Sequence, residues 1–224
     1  MLRGVIFDVD GTLVASNDAH AASWVDTLSE AGFDVSFGTV RPMIGMGGDK
    51  VLPSLAGIES ETAEGKRLSH RRWEIFERDY LPHLEPTPGA RALVERLGAD
   101  GLEIVIATSA GGSELGVLLE AAGVADLIDG ATSASDAEDS KPDPDIVQAA
   151  VRKSGFDPDE LVMIGDTPYD VEAAIGAHVR IVALLCGGWS KQELGSATAV
   201  YSDPADLLEW YERNPSLLED LTRS

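Results

Sequence analysis

The chain has 224 residues, 44% of them hydrophobic and 25% charged, with 17 basic against 39 acidic side chains and a net charge of −22. That length holds one large domain, or a domain carrying an insertion. Such acidity excludes non-specific attachment to nucleic acid or anionic membranes, and it leaves any phosphate-bearing ligand in need of a local cation. Cys186 is the only cysteine, which rules out an intrachain disulfide and fits a reducing compartment. The amino terminus lacks the long apolar stretch of a signal peptide, and no segment reaches membrane-spanning length. The expectation is a cytoplasmic protein, a monomer or weak homodimer, with no nucleic-acid or membrane partner.

Val5 to Phe7 is short and apolar, and it stops at Asp8-Val9-Asp10-Gly11-Thr12, so it predicts a buried strand. Asp8 and Asp10 leave its carboxyl end on one face. Carboxylates crowded that way repel unless a cation or a proton intervenes, although D-x-D-G alone also suits a plain turn. Asp18 to Ala31 predicts an amphipathic helix through Ala22, Val25 and Leu28, with Gly32 as its stop. Ile44 to Lys50 predicts a glycine-rich loop, its Gly47-Gly48 pair a tight turn between helices. Glu61 to Leu81 predicts a second helix. No strand is predicted between Leu13 and Pro86, so residues 15–85 form an expected all-helical insertion.

From Pro88 the pattern alternates. Helices are predicted to Ala99, over Ser113–Ala122, from Pro144 to Ser154, over Val171–Gly176 and over Pro204–Tyr211. Strands are predicted over Leu102–Ala107, Ala125–Ala131, Leu161–Ile164, Val179–Leu185 and Ala199–Tyr201. This alternation argues an α/β fold, a parallel sheet between two helical layers. In such a sheet the polar strand ends converge on one edge. Those ends carry Asp8 and Asp10, then Thr108 and Ser109, then Asp166 and Asp170, with Lys141 on a connecting loop.

That set suits phosphoryl transfer. A carboxylate can attack phosphorus to form an aspartyl-phosphate, while a second acid protonates the leaving oxygen and later activates water. Carboxylates also recruit magnesium, and a lysine with a hydroxyl can hold phosphoryl oxygens.

Four motifs in order, Asp8-Val9-Asp10-Gly11-Thr12, Thr108 after an apolar strand, Lys141-Pro142-Asp143-Pro144 and Gly165-Asp166-Thr167-Pro168-Tyr169-Asp170, resemble those of the haloacid dehalogenase-like superfamily. The resemblance is to its helical-cap phosphatase branch, which includes phosphoglycolate phosphatases and β-phosphoglucomutases. It implies a Rossmann-like three-layer core over residues 1–14 and 86–224, with a helical cap over 15–85. It implies Asp8 as nucleophile and Asp10 as general acid/base. It implies Mg2+ held by Asp8, the backbone carbonyl of Asp10, and Asp166, with Asp170 supporting them. Thr108, the backbone of Ser109 and Lys141 would bind phosphate, and Lys141 would also pair with Asp8. Gly45 to Lys50, Gly48 included, falls where the family's cap loop meets substrate, and His20 falls at its hinge. Ala15 departs from the aspartate that many members carry.

The expected activity is therefore Mg2+-dependent hydrolysis of a small phosphorylated metabolite, of sugar-phosphate or phosphoglycolate type. The nearest alternative is a β-phosphoglucomutase-like mutase, whose cap loop places an arginine where this chain has Gly48. A dehalogenase would not need Asp10. A phospho-accepting receiver domain carries its aspartate after the third strand rather than the first, and a non-catalytic binding protein would not need the motifs intact. Plainer readings apply elsewhere: His20 as a structural histidine, Lys50 as a surface lysine, Arg71 and Arg72 as a solvated helix face, Trp24 and Trp73 as helical core, and Cys186 as a core residue.

Overall fold

A computed structural model describes residues 1–222. The chain divides into two compact units: Met1–Ala15 together with the chain from Glu85 onward, and Ser16–Leu84.

The first unit is built on six parallel strands: β1 (Gly4–Phe7), β2 (Glu103–Ala107), β3 (Gly130–Thr132), β4 (Leu161–Gly165), β5 (Arg180–Leu184) and β6 (Ala199–Tyr201). Their order is β3-β2-β1-β4-β5-β6. The chain winds outward from β1 in one direction to β3, then returns to the other side of β1 for β4. That reversal is the crevice where open α/β sheets bind ligands. The central strands are buried end to end, as strands covered on both faces must be. The predicted strand over Ala125–Ala131 starts late, because Ala125–Leu127 forms a 3-10 turn and only Gly130–Thr132 pairs.

The second unit is helical: α1 (Asn17–Glu30), the single turn α2 (Phe37–Val40), α3 (Gly48–Ala56) and α4 (Ala63–Ile75). A π-helical turn over Phe76–Tyr80 continues α4. Ala21, Trp24, Leu28, Val40, Val51, Leu52 and Leu68 form its core. The predicted loop over Ile44–Lys50 is cut short, since Gly48 already opens α3. Pro53 inside α3 and glycine at its start hide this helix from a reading by propensity.

Around the sheet stand α5 (Ala90–Ala99), α6 (Gly112–Ala121), α7 (Asp145–Ser154), α8 (Pro168–Gly176), α9 (Pro204–Arg213) and α10 (Leu217–Thr222). Ile146, Val147 and Ala150 of α7 and Val171, Ala173 and Ala174 of α8 pack on Ile6, Val105, Met163 and Ile181. The alternate strand residues Val5, Phe7, Ile104, Ile106, Val162 and Ile164 are equally buried, so they line the sheet's other face. Helix α5 packs against β2 and α9, and α10 docks on β4. Among the described residues no helix is long and apolar enough to cross a membrane.

Ile6 is fully buried on the central strand. Ile6→Ala is expected to destabilise the core by about 2–5 kcal/mol through lost burial and the cavity it leaves. Urea unfolding followed by circular dichroism checks this.

Candidate active site

The backbone turn after β1 brings the first carboxylates to the sheet edge. Asp8 N donates to the Ile164 carbonyl at 2.9 Å, which locks the end of β1 to β4. The amides of Thr12, Leu13 and Val14 all point at the Val9 carbonyl, at 3.2, 2.8 and 3.1 Å, and so close the turn.

Asp8, Asp166 and Asp170 are buried, and one carboxylate oxygen from each lies within 4.8 Å of the other two. Lys141 reaches them from the loop before α7. It is 1% exposed, and its Nζ lies 2.5 Å from Asp8 Oδ1, 2.7 Å from Asp170 Oδ1 and 2.8 Å from the Ala107 carbonyl. An ammonium has three N–H groups, and three acceptors surround this one. Burial pushes the Asp8 carboxyl well above the usual range, Lys141 opposes that, and the charges of Asp170, Asp166 and Asp10 reinforce it. Lys141 is itself held above its ordinary range: burial alone would lower it, but Asp170 and Asp8 together outweigh that penalty.

Asp170 plays a different part from Asp8 and Asp166. Its Oδ2 accepts from Thr167 Oγ1 at 2.7 Å and from the amides of Thr167 and Asp166 at 3.0 and 3.3 Å. Thr167 Oγ1 in turn accepts from the Asp170 amide, a reciprocal cap that starts α8. With Oδ2 used this way and Oδ1 on Lys141, Asp170 orients its neighbours. Gly165 leaves the room it needs: a Cβ there would come 2.7 Å from Asp170 Cγ.

Thr108 follows β2 and is buried, and its Oγ1 accepts from the Ala110 amide at 3.1 Å. The hydroxyl proton is then directed elsewhere. Beside it, Ser109 Oγ is buried with no protein partner. The resemblance implies no role for Thr12. Its hydroxyl donates to Asp166 Oδ1 at 2.8 Å, with both residues fully buried. The threonine of D-x-D-G-T was itself the available signal.

Asp10 is half-buried after β1, and Gly48, His20, Arg71 and Arg72 belong to the helical unit. Gly48 opens α3 with its Cα turned toward Trp24, whose ring a Cβ would meet at 3.5 Å. His20 is buried and stacks on Phe76 at 4.2 Å between centroids. Arg72 is no solvated residue: its Nη1 lies 3.1 Å from His20 Nδ1, and its guanidinium sits 5.7–5.9 Å from the rings of Trp24, Trp73 and Phe76. Only its neighbour Arg71 faces outward, onto Glu30 and Glu74. Cys186 also departs from the core reading. The residue is exposed, while its thiol turns inward to donate to the Gly11 carbonyl at 3.2 Å. Burial and the Asp166 charge push that thiol up to about 12.

The sequence profile of the haloacid dehalogenase-like hydrolases matches residues 5–184, a span that holds every member of this cluster. The chain belongs to that family. Phosphoglycolate phosphatase of Rhodospirillum rubrum is 31% identical to this hydrolase over 221 residues, which covers 94% of this chain and 91% of that one. A hydrolase from Pseudomonas syringae superposes with a TM-score of 0.86 at 34% identity, covering 95% of this chain and 99% of the other. β-Phosphoglucomutase of Clostridium difficile shares the fold, with a TM-score of 0.81 at 16% identity over 100% of this chain and 98% of the other.

Removing the ammonium leaves buried carboxylates facing one another. In metal-free protein, Lys141→Met is therefore expected to lower the melting temperature, and more at pH 8 than at pH 5.5. The sign follows from Asp8: its folded pKa lies above the unfolded one, so the folded state holds the extra proton and loses stability as pH rises through the folded pKa. Thermal melts of both proteins in EDTA across that range check it.

Proposed function

We propose that this hydrolase is a magnesium-dependent phosphatase acting on a small phosphorylated metabolite through an aspartyl-phosphate on Asp8. The observation that carries the reading is charge: Asp170, Asp166 and Asp10 all act on the buried Asp8 carboxyl, and Lys141 is the one buried ammonium among the described residues to oppose them. A buried excess of negative charge calls for a cation, and clustered hard oxygen donors suit Mg2+. Asp8, Asp166 and the backbone carbonyl of Asp10 would hold it. Bound there, Mg2+ would return Asp8 to its ionised form and screen an incoming phosphate from the carboxylates.

The chain's own residues supply the rest. Lys141 orients the Asp8 carboxylate for attack. The Asp8–phosphorus bond forms as the ester oxygen departs, and Asp10 gives that oxygen its proton. Asp10 then takes a proton from water as the water attacks the aspartyl-phosphate, which releases phosphate and restores Asp8. Thr108 and Ser109 would donate to phosphoryl oxygens, and the unpartnered Ser109 hydroxyl supports that role. The similarity to phosphoglycolate phosphatase favours a small substrate of that type. The likeness to β-phosphoglucomutase is one of fold, and Gly48 offers no side chain to hold a second phosphate.

Asp8→Asn is expected to abolish phosphate release. Asp10→Asn is expected to leave slow phosphorylation without turnover, and excess EDTA to silence the parent. A screen of phosphorylated metabolites with Mg2+, read as phosphate release, tests all three. Normal turnover by either variant would overturn the assignment. Formation of glucose 6-phosphate from β-glucose 1-phosphate would turn it to the mutase.

A further inference from the structure

Asp166 is gripped from two directions. On one side Thr12 donates to Oδ1. On the other lies Gly187, buried in the short 3-10 turn Leu185–Gly187 that follows β5. A Cβ on Gly187 would fall 1.8 Å from Asp166 Oδ2 and 2.5 Å from its Cγ. Its φ lies outside the left-handed region, so space rather than backbone conformation demands glycine here. The turn is pinned by Cys186, whose thiol donates to the carbonyl of Gly11, the residue before Thr12. Two segments distant in sequence, 11–12 and 186–187, thus close on one carboxylate and on each other.

We propose that Thr12 and the Cys186–Gly187 turn are positioning residues that fix the Asp166 carboxylate as a divalent-cation ligand, with Gly187 setting how closely it can seat. The proposal rests on the magnesium-dependent reading above. Physically, a carboxylate with one oxygen hydrogen-bonded and the other backed by main chain cannot swing away, so the protein need not order it when the cation arrives. Groups that orient metal ligands in this way change affinity substantially when removed.

The test is Mg2+ binding by calorimetry to metal-free protein, with melting temperature followed against Mg2+ concentration as a second readout. Thr12→Val keeps the shape and loses the donor, whereas Thr12→Ser keeps the donor. Gly187→Ala adds the clashing carbon. Gly116→Ala, in α6 where a Cβ meets nothing within 4 Å, is the control. The expected result is Mg2+ affinity weakened about tenfold or more in Thr12→Val and Gly187→Ala, restored in Thr12→Ser and unchanged in Gly116→Ala. Parent-like affinity in both altered proteins would overturn the positioning role and leave the phosphatase reading intact. An equal loss in Thr12→Ser and Thr12→Val would also overturn it. A parent that neither binds Mg2+ nor releases phosphate from esters would sink the reading beneath it. Should Gly187→Ala fail to fold, the pair at Thr12 decides.

Discussion

The structure depends on a buried charge imbalance at the sheet edge. Asp8 and Asp170 share one ammonium, with Asp166 and Asp10 adding their repulsion, where burial denies most of them water. Breaking such a buried pair by removing one partner typically costs about 3–5 kcal/mol. The surroundings are arranged to prevent it. The Ala107 carbonyl takes the third proton of Lys141, the Thr167 cap occupies Asp170, and Thr12 occupies one oxygen of Asp166. What remains unbalanced is negative, and such a cluster could hold a cation.

Topology makes this imbalance possible. Strands β1 and β4 are neighbours in space, although about 150 residues separate them in sequence. Their parallel direction sends Asp8 and Asp166 out at the same edge, and β2 on the other side of β1 delivers Thr108. A shift of one residue in the pairing of β1 with β4 would turn alternate side chains to the opposite face. Ile6 and Met163 pack with α7 and α8 on one face while Val5, Phe7, Val162 and Ile164 fill the other, and the close fit of those two different cores opposes that shift. The core that stabilises the sheet is therefore also what sets the spacing of the carboxylates.

The helical unit shows a different economy. It holds a half-buried arginine among three aromatic rings, with a histidine stacked on one of them. Cation–π contact and the His20 nitrogen offset part of the hydration that Arg72 gives up. Arg71, one residue earlier, points the other way and is spent on surface pairs that contribute little. Adjacent arginines in one helix thus have opposite environments, because successive helical positions lie about 100° apart.

The fold class, most of the alternation of strands and helices, and the polar residues at the strand ends are legible in the chain itself. Apolar runs and turn residues are local signals, and a parallel sheet converts strand ends into one site by geometry alone. The sequence could not show that Lys141 is enclosed by three acceptors, or that Asp170 has both oxygens engaged, because these are distances between segments that no spacing encodes. Nor could it show α3, where glycine and proline contradict the local preference that packing overrides. Arg72 read as solvated for the same reason: helical charge patterns do not reveal which side meets aromatic rings. Only the tertiary structure brought Thr12, Cys186 and Gly187 around Asp166. A glycine that exists to leave room for a carboxylate carries no signal of its own until the fold places the two together.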